Sequence, residues 1–394
     1  MSRWHSYINS AKIIIETYKG KEPLSAFLKD HFRQHAKYGS KDRKYIAHLC
    51  YCYYRTGHSL TSLSTEEKIK TALFLCNDEA AEWQVLFDET RMPAWSKKPA
   101  ERIDFIQKNN AAFSVEQIFP FYDELSEGID AAAFAESHLI QPDLFLRVRP
   151  GKKNMVISKL AEHKINFQEV SENCLSLVNA TKIDAILDIN KEAVIQDYSS
   201  QRIKEFFALV KQETQRSEAI KIWDCCAASG GKSILAFDTL NKIELTVSDL
   251  RPSTISNLKK RFYEAGIKNY QPFVADLTKQ TINFPLSYFQ LIICDAPCSG
   301  SGTWGRTPEQ LYFFSKEKIG DYANLQKKIA RTVIPYLENG GYFLYITCSV
   351  FKKENEAVVE FIESNFGLNV VKQELLIGYD KKADSMFAAL FRKT

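Results

Sequence analysis

Beyond residue 164 the 394-residue chain has no histidine: His5, His31, His35, His48, His58, His138 and His163 all precede that point. This excludes a Cys–His nucleophile pair and a His-liganded metal centre from the C-terminal half. A reactive thiol there has to be activated by its position, by a nearby Lys or Arg, or by the substrate. The nine cysteines form no CxxC pair, which argues against a disulfide framework or a zinc site and leaves them as reduced thiols, with no metal expected. No apolar run reaches the ~18 residues of a membrane span, and Met1-Ser2-Arg3-Trp4-His5 leads into a mixed polar segment rather than a signal sequence. A cytoplasmic, monomeric protein with no membrane partner is expected. Net charge is only +4, so any nucleic-acid-binding surface has to be local. A G-x-G-x-x-G turn is missing, and although Gly231-Lys232-Ser233 ends like a P-loop, Cys226 stands where that motif requires its first glycine. Both absences argue against a nicotinamide dehydrogenase and a P-loop ATPase.

What the chain does have is 45% hydrophobic residues, enough to bury a sizeable core in two or three domains. Five apolar runs have the length and the β-branched and aromatic content of buried strands, and each leads into a reactive or acidic residue. Ile220-Lys221-Ile222-Trp223 runs into Asp224, Leu245-Thr246-Val247-Ser248 into Asp249, and Phe273-Val274-Ala275 into Asp276. Leu291-Ile292-Ile293 leads to Asp295-Ala296-Pro297-Cys298-Ser299-Gly300, and Tyr342-Phe343-Leu344-Tyr345-Ile346 to Thr347-Cys348-Ser349. Helix-length stretches such as Pro252 to Ala265 and Asp321 to Leu337 separate these runs, which describes a doubly wound parallel sheet with a polar crevice at its carboxyl edge. The turn Ala227-Ala228-Ser229-Gly230-Gly231 offers backbone N–H groups at a helix start, and Asp249 follows Gly230 by 19 residues, near the ~20-residue spacing of a ribose-binding acid. An adenosine compound without a diphosphate fits that turn.

These residues resemble the RNA (cytosine-5) methyltransferases of the Nop/Sun type. Asp224-Cys225-Cys226-Ala227-Ala228-Ser229-Gly230-Gly231-Lys232 is similar to that family's S-adenosylmethionine loop, and the two cysteine segments are similar to its paired motifs. Gln196-Asp197-Tyr198-Ser199-Ser200, Glu354-Asn355-Glu356 and Asp384-Ser385-Met386-Phe387 extend the match, which covers roughly residues 140 to 394. Two departures stand out. Ser229 replaces the family's usual proline, and Gly305-Arg306-Thr307-Pro308-Glu309 keeps only part of a double-arginine segment, leaving one expected backbone contact without its residue.

The resemblance implies a Rossmann-like α/β methyltransferase domain (193–394), preceded by a small RRM-like α+β module (139–192) and an all-helical NusB-like domain (1–138). It implies methyl transfer from S-adenosylmethionine to C5 of a cytosine in RNA, 16S rRNA of the small subunit by its nearest likeness. Cys348 is then the nucleophile that adds to C6, Asp295 engages N3 and the exocyclic amine, Cys298 helps release the product, and Lys232 orients Asp295 or lowers a thiol pKa. Cys226, Ala227, Ala228, Ser229, Gly230, Gly231 and Lys232 are implied to wrap the methionine portion of the cofactor, Asp249 to hold the ribose and Asp276 to take the adenine amine, with Asp295 also among the cofactor-binding residues. Cys225 and Cys294 read as packing. Two other readings stay open: a DNA cytosine methyltransferase with Cys298 as nucleophile, and a non-catalytic RNA-binding assembly factor.

The first half reads as accessory. Helix-type runs occur at Ala11 to Tyr18 and Tyr45 to Arg55, and Gly39-Ser40-Lys41-Asp42-Arg43-Lys44 resembles a segment of the NusB-like domain. Arg147, Arg149, Lys152 and Lys153 lie together with no acid among them, a candidate phosphate-contact patch or a solvated strand end.

Overall fold

The computed structural model describes residues 3–77, 82–87, 89–213, 219–240, 242–279 and 288–394; Met1 and Ser2 lie outside them. Two compact units divide the chain. Met1–Leu125, Ile129–Gln141 and Thr303–Lys316 form the first, and Ser126–Gly128, Pro142–Gly302 and Glu317–Thr394 form the second. Among the described residues no helix is long and apolar enough to cross a membrane.

The first unit is built around helices Arg3–Thr17, Leu24–Gln34, Ser40–Arg55, Thr65–Cys76 and Pro99–Asn109. Both helix-type runs fall within these bounds apart from Tyr18, and each helix starts earlier than its apolar spacing showed, because polar turns continue it toward the N-terminus. Ile8, Ala11 and Ile14 are buried on the first helix and Ile46, Leu49 and Cys50 on the third, so the core forms where these two pack together. Arg55 is buried and donates to the carbonyls of His138, Ile140 and Gly305, which ties the segment Thr303–Lys316 into this unit.

The second unit holds two sheets. Strands β1 (Leu144–Val148), β2 (Phe167–Ser171), β3 (Cys174–Leu177) and β4 (Ala193–Ile195) form an antiparallel sheet in the order β2-β3-β1-β4. Val156 and Leu160 of helix Lys153–Glu162 pack with Leu146, Val148, Leu175 and Leu177 to form its core. The larger sheet contains β5 (Ile220–Asp224), β6 (Ile243–Asp249), β7 (Tyr270–Val274), β8 (Phe289–Asp295), β9 (Leu337–Thr347), β10 (Leu368–Leu376) and β11 (Met386–Lys393). Its order is β10-β11-β9-β8-β5-β6-β7, with β7, β6, β5, β8 and β9 parallel and β11 antiparallel between β9 and β10. Alternate residues of the buried strands feed two separate cores, Ile222, Leu291 and Ile293 into one and Trp223, Ile292 and Cys294 into the other, so both faces are covered. This is a Rossmann-like α/β domain with an α+β module before it and a helical N-terminal region, the fold class that the sequence implied.

From β5 the chain builds outward through β6 and β7, then returns to place β8 and β9 on the other side. That reversal opens a crevice between β5 and β8 at the carboxyl ends. Helix Pro252–Ala265 has the bounds expected from sequence, since Pro252 sets its first turn and Gly266, at φ +77°, terminates it. The second expected helix runs over Glu317–Val333 rather than Asp321 to Leu337. Its end passes into a tight turn at Ile334–Tyr336, and Leu337 already begins β9.

The basic cluster around residue 150 is a correction. Arg147 and Arg149 do not form a phosphate-contact patch: both are buried, and their guanidinium groups grip the carboxylate of Asp238 on helix Gly231–Leu240, each at 2.6 Å. Arg149 also donates to the carbonyls of Asn190 and Ala265, and Lys153 pairs with Glu169 at 2.6 Å. Arg147 and Arg149 therefore fasten the small sheet to the larger domain, while Lys153 pairs within the small module. Because breaking a buried pair leaves an uncompensated charge, Asp238→Ala should cost about 3–5 kcal/mol in urea denaturation. A loss below about 1 kcal/mol would mean that the pair is solvent-screened.

Candidate active site

Asp224, Asp249 and Asp295 close β5, β6 and β8, Cys348 follows β9 directly, and Asp276 stands two residues past β7. The parallel register brings these ends to one edge, with Asp224 opposite both Val247 and Ile293, and Asp295 opposite Ile346. Residues separated by more than a hundred positions in sequence are thereby neighbours.

The turn after β5 is held by its own backbone and by Asp249. Ala227 N–H donates to Ser248 O at 2.9 Å, and Ala228 N–H donates to Asp249 Oδ2 at 3.1 Å. Ala228 sits at φ +47° and Gly230 at φ +83°. A Cβ on Gly230 would also lie 2.5 Å from the Phe262 ring, so glycine is required there both for backbone angle and for space. Ser229, at the family's proline position, is tied down by another means: Arg261 donates to its carbonyl at 2.9 Å and to its hydroxyl at 2.6 Å. Gly231 starts the helix that carries Lys232 and Ser233.

Cys226, Asp249 and Asp276 line one cavity of about 300 Å³, together with Leu250, Leu277 and Pro297. Asp249 also accepts from Arg251 N–H at 3.0 Å, and Asp276 accepts from the Thr278 N–H and hydroxyl at 3.1 and 2.6 Å, which holds its carboxyl below the usual range. Asp276 thus has a local turn role whatever else it does.

Sequence reasoning assigned no role to Asp224, yet it is fully buried. Its Oδ2 accepts from Ser233 at 2.6 Å, while Oδ1 has no partner among the described residues. Burial lifts its carboxyl to about 7, with Ser233 opposing and Asp295 adding to the rise. Its position as the last residue of a strand, directly before a glycine turn, was the available signal.

Lys232 reaches Asp295 at 2.9 Å, with both side chains at least three-quarters buried. Burial disfavours the ammonium, but Asp295 and Cys348 hold its pKa above the ordinary value. The two thiols meet beside this pair, Cys348 N–H donating to Cys298 Sγ at 3.3 Å, and both cysteines remain partly exposed. The Cys298 thiol, burial and Asp295 all push the Cys348 pKa well up, and only Lys232 lowers it.

Glu354, fully buried, binds both cysteine segments. Its carboxylate accepts from Ser299 N–H at 2.9 Å, Ser349 Oγ at 2.7 Å and Gln326 Nε2 at 2.9 Å, while Gln326 also donates to Pro297 O. Asn355 accepts from Thr347 Oγ1 at 2.6 Å and donates to Ser349 O at 2.9 Å. Gly302 closes the arrangement. It donates to Cys348 O and accepts from Ser385 N–H, and a Cβ there would meet Ser385 O at 1.9 Å. Asp384 N–H donates to Asp197 Oδ2, so the outlying motifs of the sequence join the same edge.

Residues 208–385 match the family model described as 16S rRNA methyltransferase RsmB/F. A probable ribosomal RNA small subunit methyltransferase B from Bacillus subtilis is 29% identical over 245 residues, covering 60% of this chain and 53% of that protein. The chain spans about half the length of that relative. The solved structure of PH0851 superposes at a TM-score of 0.70 over 100% of both chains with 18% identity. NSun6 from Pyrococcus horikoshii with SFG gives 0.58 over 70% of this chain and 97% of that one, at 15% identity.

Two outcomes follow from the electrostatics. The raised pKa of Asp224 makes its contribution to stability fully present below the unfolded value near 4 and lost as pH rises through about 7. Asp224→Asn, which cannot ionise, should therefore gain melting temperature relative to wild type as pH rises from about 4 to about 7; parallel profiles would show that the carboxyl does not titrate there. Because Asp295 raises the Cys348 pKa and Lys232 lowers it, Asp295→Asn should speed iodoacetamide modification of Cys348 several-fold and Lys232→Ala should slow it. Equal rates in a peptide-resolved assay would remove both residues from control of the thiol.

Proposed function

We propose that this chain, whose residues 208–385 match the family model described as 16S rRNA methyltransferase RsmB/F, transfers a methyl group from S-adenosylmethionine to C5 of a cytosine in small-subunit rRNA. The observation that carries the proposal is the meeting of Cys348 and Cys298 beside the Lys232–Asp295 pair at one strand edge. The three-part organisation, with boundaries near residues 138 and 192, belongs to the same proposal.

The cofactor fits what the residues offer. The cavity of about 300 Å³ brings Cys226, Asp249 and Asp276 to its wall, and Asp224 keeps an unpartnered buried oxygen beside the turn. In this reading Cys226 through Lys232 wrap the methionine portion through the backbone, Asp249 holds the ribose hydroxyls and Asp276 the adenine amine. When bound, S-adenosylmethionine supplies an electrophilic methyl group.

The chain's own residues prepare the acceptor. Cytosine C5 is a poor nucleophile until a thiolate adds to C6, so the Cys348 sulfur forms a covalent bond there and the ring gains enamine character. Asp295 engages N3 and the exocyclic amine, favouring attack by hydrogen bonding or proton donation. Where that contact is a hydrogen bond accepted from the exocyclic amine, it screens the Asp295 charge, which raises the Cys348 pKa behind the Cys298 thiol and burial, while Lys232 lowers it. Cys298, against Cys348, assists removal of the C5 proton and release of the product. Since C6 is covered by stacking in a helix, the target cytosine is single-stranded or flipped into the crevice.

The two cysteines should fail differently. Cys348→Ala should abolish methyl transfer from tritiated cofactor and give no adduct, whereas Cys298→Ala should accumulate a protein–RNA adduct stable in denaturing gels. The opposite pattern would make Cys298 the nucleophile, the DNA-type mechanism. Unchanged transfer in both would return the thiols to the packed core.

A further inference from the structure

Cys225 and Cys294 read from sequence as packing, and each is only 1% exposed. The fold adds a third thiol to them. β5 and β8 are parallel neighbours, and Cys225 N–H donates to Ile293 O at 2.9 Å, so positions 225 and 226 lie beside position 294. The three side chains belong to the core on one face of the sheet. All three sulfurs lie within 4.8 Å of one another, and the thiols hydrogen-bond among themselves.

Zinc–sulfur bonds of about 2.3 Å in tetrahedral geometry put the sulfurs about 3.8 Å apart, so a shift of roughly 1 Å in the side chains closes the cluster on an ion. Cys225 and Cys226 also line the cavity of about 300 Å³, which opens a path for entry and leaves a fourth coordination position to water. We propose that Cys225, Cys226 and Cys294 form a binding site for a thiophilic d10 cation of the zinc class. Three sulfur ligands and no carboxylate select soft cations over magnesium or calcium. On binding, three S–H bonds give way to three metal–sulfur bonds and three protons leave to solvent, so affinity rises with pH. This site is separate from Cys298 and Cys348 and does not depend on the proposed methyl transfer. A further consequence, weaker cofactor binding in the metal-loaded protein, rests on the cofactor reading of the shared cavity.

The test uses the full chain with one equivalent of zinc, and X-ray absorption at the zinc edge. Three sulfur neighbours are expected; two or fewer, or none, would overturn the proposal. Cadmium titration, followed through the thiolate-to-metal charge-transfer band, separates this cluster from the other thiols. Cys294→Ala should weaken cadmium binding by roughly tenfold or more while the double variant Cys298→Ser/Cys348→Ser keeps wild-type affinity. Loss of binding in the double variant with retention in Cys294→Ala would assign the metal to the other thiol pair and overturn the site. Competition between zinc and S-adenosylmethionine, measured by calorimetry, reads the consequence alone, since its absence leaves the sulfur coordination intact.

Discussion

The carboxylate of Glu354 joins two chain segments that would otherwise end independently. It accepts from the backbone after Cys298 and from the hydroxyl after Cys348, and through Gln326 it also reaches the carbonyl before Cys298. A buried carboxylate is costly unless its oxygens are satisfied, and three donors here offset the burial that raises its pKa. The position of one sulfur against the other follows from this constraint. Strand pairing supplies the coarse convergence, since Ala296 N–H donates to Ile346 O, and the side-chain network sets the remaining distance.

Charge then divides the labour between two similar thiols. Lys232 and Asp295 hold each other across the crevice and act on Cys348 with opposite signs. In the free protein the balance favours the neutral thiol, which resists adventitious oxidation and alkylation. In the proposed reaction, a base held by Asp295 would remove one of the influences that raise the Cys348 pKa. The glycine turn contributes the third component, packed at Gly230 against Phe262 and anchored through Ala228 to Asp249.

Much of this was legible in the sequence. Apolar runs located the buried strands because a parallel sheet covered on both faces needs continuous hydrophobic segments, and the residues after them marked the functional edge. Pro252 and Gly266 fixed a helix at both ends because each carries a backbone constraint of its own. What failed was partner identity. Arg147 and Arg149 looked like a surface patch because their acid, Asp238, lies about ninety residues away and the local sequence contains none. Glu354 was visible as a motif residue, but its role depends on donors from positions 299, 326 and 349. The three-thiol cluster was hidden for the same reason: Cys294 meets Cys225 and Cys226 only through strand adjacency.

The central claim is that the Cys348 sulfur attacks C6 of a cytosine, and RNA carrying 5-fluorocytosine tests it most directly. Fluorine at C5 cannot leave as a proton does, so a methylated adduct cannot be released and the attacking residue stays bonded to the base. Incubation of the wild-type chain with S-adenosylmethionine and small-subunit rRNA transcribed with 5-fluorocytosine, followed by proteolysis and mass spectrometry, identifies that residue. The account predicts a nucleotide-modified peptide containing Cys348, with Cys298 free. Modification at Cys298 with Cys348 free would contradict it.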